Sequence, residues 1–414
     1  MRGSWLSLLL MIVGLLAGCG GGSSGSGSDT TSTTNIGTGN VQPVTVAVGP
    51  SNAVNLLFTS VTVCAPGSST ECATVDHIQV DTGSSGLRII ASQLPASLTL
   101  PQQTDGSDDI AECAQFADGY AWGPVKFADV KIAGEVAAGI PIQVIDGSFG
   151  IVPDDCSSTG PAENTVTSFG AKGVLGVGEF LQDCGSNCAT ITNNGFYYPC
   201  PPVSGCLATT VSAVQALAQQ VANPVAAFTN DNNGVLIKLP PISAAGAVSV
   251  SGSLIFGIDT QTNNTLGSAQ VFTTSASLGT FTTIYKGNAY HYSLFDSGSS
   301  SYFFSDATIP VCPSTDPYAP GFYCPTNPPA NILNLSAMIQ GAGGESATLS
   351  FNVANAHDLA GNNPDYWAFD NLGAPNGGSS NIFIWGLPAF FGHTMYTAIE
   401  GQPTSAGPGP FFAF

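Results

Sequence analysis

Between residues 44 and 80 apolar and polar side chains alternate, the period of two expected of strands with one face buried. A loop flanked by Cys64 and Cys72 interrupts the pattern. It resumes as Val75, Ile78 and Val80 lead into Asp81, placing that aspartate at a strand end. Residues 112–134 read as a hairpin that turns around Asp118-Gly119, and residues 139–151 as a second strand pair turning at Asp146-Gly147. Residues 173–178 follow as an apolar pair framed by glycines. One helix is predicted, over residues 211–221, where apolar positions recur at helical spacing before the stop Asn223-Pro224. The second half contributes strands at 235–237, 253–259 and 290–295, the last running into Asp296. A proline-rich loop spans 312–324, an apolar strand ending in glycine covers 381–386, and the closing Phe411 to Phe414 would seal a sheet joining two lobes. The expectation is an all-β chain with few short helices.

The order of these elements repeats. Val80-Asp81-Thr82-Gly83-Ser84-Ser85 and Phe295-Asp296-Ser297-Gly298-Ser299-Ser300 each end an apolar run with an aspartate, a small hydroxyl residue, a glycine and two serines. Each is followed by hairpins and then by an apolar-apolar-glycine segment, Val174-Leu175-Gly176 or Ile384-Trp385-Gly386. Such an internal duplication implies two units of roughly 200 residues, each about the size of a typical domain. A duplicated carboxylate suggests two half-sites meeting at one centre. Two carboxyls sharing a site do not both ionise readily, so one retains a proton and the pair can act as base and acid together.

Composition narrows the setting. With 43% apolar residues the 414-residue chain can bury two cores. Seven basic residues against 27 acidic ones, a net charge of −20, exclude nucleic acid as a partner because nothing could neutralise its phosphates. The first residues read as a lipoprotein leader, with Arg2, an apolar core from Leu6 to Leu16, and a lipobox, Leu16-Ala17-Gly18-Cys19. Residues 1–18 are then a signal peptide, Cys19 the lipidated residue, and residues 19–43 a Gly/Ser/Thr tether. The expected location is a bacterial cell envelope, at the outer membrane because Gly20 follows the cysteine. Contact with the membrane would run through the lipid alone.

Ten further cysteines in an exported chain point to disulfides. Near neighbours suggest Cys64–Cys72, Cys184–Cys188, Cys200–Cys206 and Cys312–Cys324, leaving Cys113 with Cys156. A zinc site at Cys184, Cys188, Cys200 and Cys206 is the weaker reading, given the oxidising compartment and loose spacing. The four histidines show no metal-binding spacing, and no cofactor is expected.

On the two aspartate motifs and their glycine partners, the chain resembles the pepsin-like aspartic peptidases. The resemblance covers most of the exported region and implies a bilobal pepsin-like acid protease fold, with lobes at 44–225 and 226–414. It also implies a monomer that hydrolyses a polypeptide lying in the cleft between them. Asp81 and Asp296 would be the catalytic pair. Thr82 and Ser297 would bond across the pseudo-twofold axis, and Gly83 and Gly298 would let backbone N–H groups approach the carboxylates. Ser84, Ser85, Ser299 and Ser300 would orient the outer oxygens. The family's flap falls at Phe116, Asp118 and Gly119, and here its usual tyrosine is Phe116. The tryptophan that tyrosine bonds to is replaced by Arg88, so a stacking contact of Arg88 on Phe116 is expected. Phe116, Leu175 and Phe303 would rim an apolar cleft. A catalytically silent binding or structural lipoprotein on the same fold is the alternative.

Overall fold

The computed structural model describes residues 39–327, 331–377 and 381–414; the expected signal peptide, Cys19 and the expected tether up to residue 38 lie outside the described residues. Among the described residues strands dominate and the helices are short, none longer than the seven residues of Ala356–Asn362.

Each half is built on the same arrangement. In the first, the strand Cys72–Asp81 pairs in parallel with Gly173–Val177, with Asp81 opposite Gly176, and that strand pairs antiparallel with Ser85–Ile90. In the second, Asn288–Phe295 runs parallel to Ile382–Trp385, which pairs antiparallel with Tyr302–Phe303. The duplication in the sequence is therefore a duplication of strand topology, and it gives two β-lobes.

A shared sheet joins the halves. Val41–Val46 pairs along its length with Val250–Phe256, which continues through Gly234–Lys238 and Thr394–Ala398 to Phe411–Ala413 and Val271–Thr273. The terminal aromatic strand does close this sheet. Residues 41–43, read as the end of the tether, already belong to it because Val44 and Val46 are buried against the second half. The cores differ in character. The first lobe packs aliphatic side chains such as Val61, Ile78, Val80, Leu87 and Ile142, whereas Phe295, Phe304, Phe351, Phe383 and Trp385 form an aromatic cluster in the second.

Five disulfides form with the expected pairing, the four near-neighbour pairs Cys64–Cys72, Cys184–Cys188, Cys200–Cys206 and Cys312–Cys324 and the remaining pair Cys113–Cys156. The zinc reading of the central four is thereby removed.

Two expected elements differ in the fold. The helix over 211–221 is absent; only a three-residue 3-10 turn, Leu217–Gln219, survives. Val211, Val214 and Leu217 face solvent while Ser212 and Gln215 are buried, and backbone N–H groups of Ala213 and Gln215 donate to Tyr197 O and Cys188 O. An isolated segment of about eleven residues gains little as a helix, so these tertiary bonds decide its conformation. The strand pair at 139–151 is also different. Glu135–Ile145 is one long strand whose hairpin partner is Tyr120–Ile132, so the turn falls at Ala133-Gly134; beyond it, Asp146 only caps a turn, accepting from Ser148.

Candidate active site

Both motif aspartates end a core strand, where the chain turns sharply through the following glycine. The two turns meet face to face through four reciprocal hydrogen bonds. Thr82 Oγ1 donates to Phe295 O at 2.9 Å and accepts from Ser297 N at 3.0 Å; Ser297 Oγ donates to Val80 O at 2.9 Å and accepts from Thr82 N at 3.1 Å. Both hydroxyl side chains are buried, Thr82 at 3% and Ser297 at 0% exposure. Small hydroxyl residues suit this position because each must donate to and accept from the backbone opposite in very little space.

The carboxylates are bound in matching fashion. Gly83 N donates to Asp81 Oδ1 at 2.7 Å and Gly298 N to Asp296 Oδ1 at 2.8 Å. Ser84 Oγ donates to Asp81 Oδ2, and Ser299 Oγ to Asp296 Oδ2 at 2.6 Å. Each carboxyl lies against the other motif's glycine: a Cβ on Gly83 would stand 2.8 Å from Asp296 Cγ, and one on Gly298 2.6 Å from Asp81 Oδ1. Only glycine fits at either place. The two acids are thereby brought together, and burial, the charge of Asp81 and a hydrogen bond with it hold the Asp296 carboxyl well above its ordinary range. Gly83 is exposed and Asp296, Ser84 and Ser299 are half-buried, so this centre opens to solvent.

Ser85 and Ser300 do not orient the outer oxygens. Ser85 is buried in the strand that leaves the first motif, its carbonyl accepting from Arg88, and the Ser300 carbonyl accepts from Asn55 Nδ2 at 2.8 Å. Leu175 does not rim a cleft either. It is fully buried because both faces of its strand are covered, while Phe303 is half-exposed.

Arg88 makes the expected contact with Phe116, at long range, and stronger ones besides. Its guanidinium carbon stands 5.9 Å from the Phe116 ring centre, at the outer edge of a cation–π contact. Its Nη2 also pairs with Glu112 Oε1 at 2.5 Å and Asp183 Oδ2 at 3.0 Å, all within the interior. A buried ion pair at hydrogen-bonding distance outweighs a ring contact at that range. Phe116 packs edge-on against Phe169, ring centres 5.7 Å apart. Its backbone N–H closes the turn by donating to Gly119 O at 2.8 Å. Beside that turn the largely buried Glu163 carboxyl is raised to about 8, by burial first and then by the charge of Asp118 and a hydrogen bond with it.

Several residues of the site carried no local signal. Asn55 Nδ2 reaches both Ser300 O and Phe369 O, and Gln79 Nε2 reaches Gly298 O at 2.9 Å, clamping first-half residues to the second motif. Glu112, Asp183 and Glu163 belong with these. Among the described residues no group of three His, Cys, Asp or Glu side chains is placed to hold a metal ion, and no helix is long and apolar enough to cross a membrane.

A family model described as "Protein of unknown function (DUF3443)" matches residues 37–414. No curated protein matches the chain. Among solved structures, the aspartic proteinase from Irpex lacteus is similar over 90% of this chain and 96% of its own, at 16% identity and a TM-score of 0.49.

Proposed function

Because the chain belongs to the family described as protein of unknown function (DUF3443), we propose its activity from its own site: an aspartic endopeptidase in which Asp81 and Asp296 activate a water. One observation carries this reading, the reciprocal seating of each carboxyl against the other motif's glycine with matched serine and N–H donors. The pair titrates as a unit. One proton is kept between the two acids, so a water held by both loses a proton to the ionised partner while the protonated one donates to the scissile carbonyl oxygen. Like charges this close cannot both ionise, which is why the two aspartates of pepsin also share a single proton. The attack forms no covalent enzyme intermediate and calls for no cofactor. The substrate is an extended polypeptide lying across the dyad.

Purified protein incubated with denatured casein between pH 3 and 7 tests this. Cleavage that disappears in Asp81→Asn and is blocked by a statine-type inhibitor supports it. Absence of both cleavage and inhibitor binding over that range refutes it and leaves a binding protein on the same fold. The replacement of the flap tyrosine by Phe116, which has no hydroxyl, favours that second reading. The lipobox ending at Cys19 supports anchoring in a bacterial envelope; a Cys19→Ser variant that still partitions with membranes would refute the anchor.

A further inference from the structure

The hairpin formed by Asp108–Gln115 and Tyr120–Ile132 carries the Phe116–Gly119 turn, and its first strand is tied into the lobe by a buried charge network. Arg88 sits in Ser85–Ile90, the strand that leaves the first aspartate motif. Its Nη1 donates to Ser85 O at 3.0 Å, and its Nη2 bridges Glu112 on the hairpin and Asp183 after the Gly173–Val177 strand. Tyr197 OH donates to Asp183 Oδ1 at 2.7 Å and accepts from Val221 N at 2.7 Å, while the strand it begins, Tyr197–Cys200, pairs with Asp109–Glu112 of the hairpin. Arg88, Glu112 and Tyr197 are at most 3% exposed. One cation thus faces two carboxyls and a phenol, with no other charged group among the described residues hydrogen-bonded to them.

Such a network links the dyad to the hairpin in few steps. Ser84 binds Asp81, Ser85 follows it in the chain, Ser85 accepts from Arg88, and Arg88 holds Glu112 four residues before Phe116. Phe116 adds a direct link, its ring 5.9 Å from the Arg88 guanidinium carbon, and packs against Phe169. Resting on the peptidase reading, we propose that Arg88 is a positioning residue: through Glu112 and Asp183 it fixes the hairpin relative to the aspartate pair, and so sets how firmly substrate is held during attack. Removing the cation leaves two buried carboxyls side by side with no counter-charge, and like charges that close cannot both ionise. The hairpin of such a variant is therefore held in acid and released as pH rises.

The test uses Arg88→Met and Arg88→Lys with two readouts. Hydrogen exchange is followed at backbone amides of residues 109–121, with the strand Thr394–Ala398 as internal reference. At pH 6 Arg88→Met should exchange tenfold or more faster in the hairpin alone, and Arg88→Lys should recover part of the protection. With a peptide substrate, Arg88→Met should lower kcat at least tenfold with less than a threefold change in KM, and move the alkaline limb of the pH profile to lower pH. Hairpin exchange unchanged from the unmutated protein overturns the proposal, as does an unchanged kcat and pH profile in an active enzyme. Should the unmutated protein prove inactive, the peptidase reading falls, and the exchange arm still decides whether Arg88 holds the hairpin.

Discussion

Replacing Thr82 by valine keeps the side chain's shape and removes one hydroxyl. That hydroxyl makes two of the four bonds joining the aspartate turns, to Phe295 O and from Ser297 N. With Thr82 only 3% exposed, water does not reach the two stranded backbone groups. A buried polar group left without its partner costs roughly 1–3 kcal/mol, so the pair sums to about 2–6 kcal/mol. Unfolding entropy of about 2.1 cal/mol/K per residue gives roughly 0.9 kcal/mol per degree for a chain of this length. The expected fall in Tm is then about 2–7 °C by the same scaling, read by calorimetry or circular dichroism. Activity should fall further than stability does, since the turns that carry the carboxyls are no longer locked in register.

Ser297→Ala provides the control, because its hydroxyl makes the other two bonds, to Val80 O and from Thr82 N. The double variant should lose less than the sum of the single losses, for the two hydroxyls hold the same pair of turns and the second has less to hold once the first is gone. A Thr82→Val protein that melts within about one degree of the unmutated chain and cleaves normally would refute the argument. Strict additivity would show instead that the two hydroxyls act independently.

Stability should be greatest in mild acid. Glu112, Glu163, Glu179 and Asp296 are all raised chiefly by burial, Glu163 to about 8. Each binds its proton more tightly when folded, so its contribution is complete below the unfolded value near 4 and is lost as pH climbs toward the folded one. Asp306 works the other way: against burial, hydrogen bonds from Lys286, Thr308 and Tyr285 bring it to about 2, so its contribution holds above about 4 and fades as pH falls through 2. Thermal melts should therefore peak between these limits and decline from pH 5 to 8; a steady rise over that span would contradict the assignment. Glu163→Gln should raise Tm at pH 8 and leave it unchanged at pH 4.5. Among the disulfides Cys113–Cys156 closes the longest loop, with a separation of 43 residues, against 4 for Cys184–Cys188. Loop entropy gives about 4 kcal/mol for the former, so the Cys113→Ser/Cys156→Ser protein should be the least stable of the five double-serine variants in a denaturant series.

The aspartate turns were legible because the chemistry leaves little choice there. A glycine is the one residue that fits beneath a facing carboxyl, and a small hydroxyl is the one side chain that can answer both backbone groups opposite. Local pairings were legible too, since cysteines four to twelve residues apart meet across a single loop. Asn55 and Gln79 were not, because the atoms they clamp lie 245 and 219 residues away, and an isolated amide in a strand or loop carries no mark of its partner. The 211–221 segment misled for a related reason. Helical spacing of apolar residues predicts a buried face only if something lies against it, and here Tyr197 and Cys188 bind the backbone instead.

The charges show the same limit most plainly. Lys126, Lys131 and Lys238 sit inside strands, flanked by apolar neighbours, as Arg88 does. None of the three lysines is buried, whereas Arg88 is 3% exposed. Alternation along the strand does not separate these cases, because burial depends on whether a second layer covers the face. For Arg88 that layer comes from Asp183 and Tyr197, some hundred residues further on. A buried cation must be answered by carboxyl groups, and once the covering layer is known Glu112 follows: it lies between Ala111 and Cys113 on the strand that pairs with Tyr197–Cys200, fully buried against Arg88. The network at Arg88 is thus dictated by elementary electrostatics, but only after topology has decided which charge the second layer seals in.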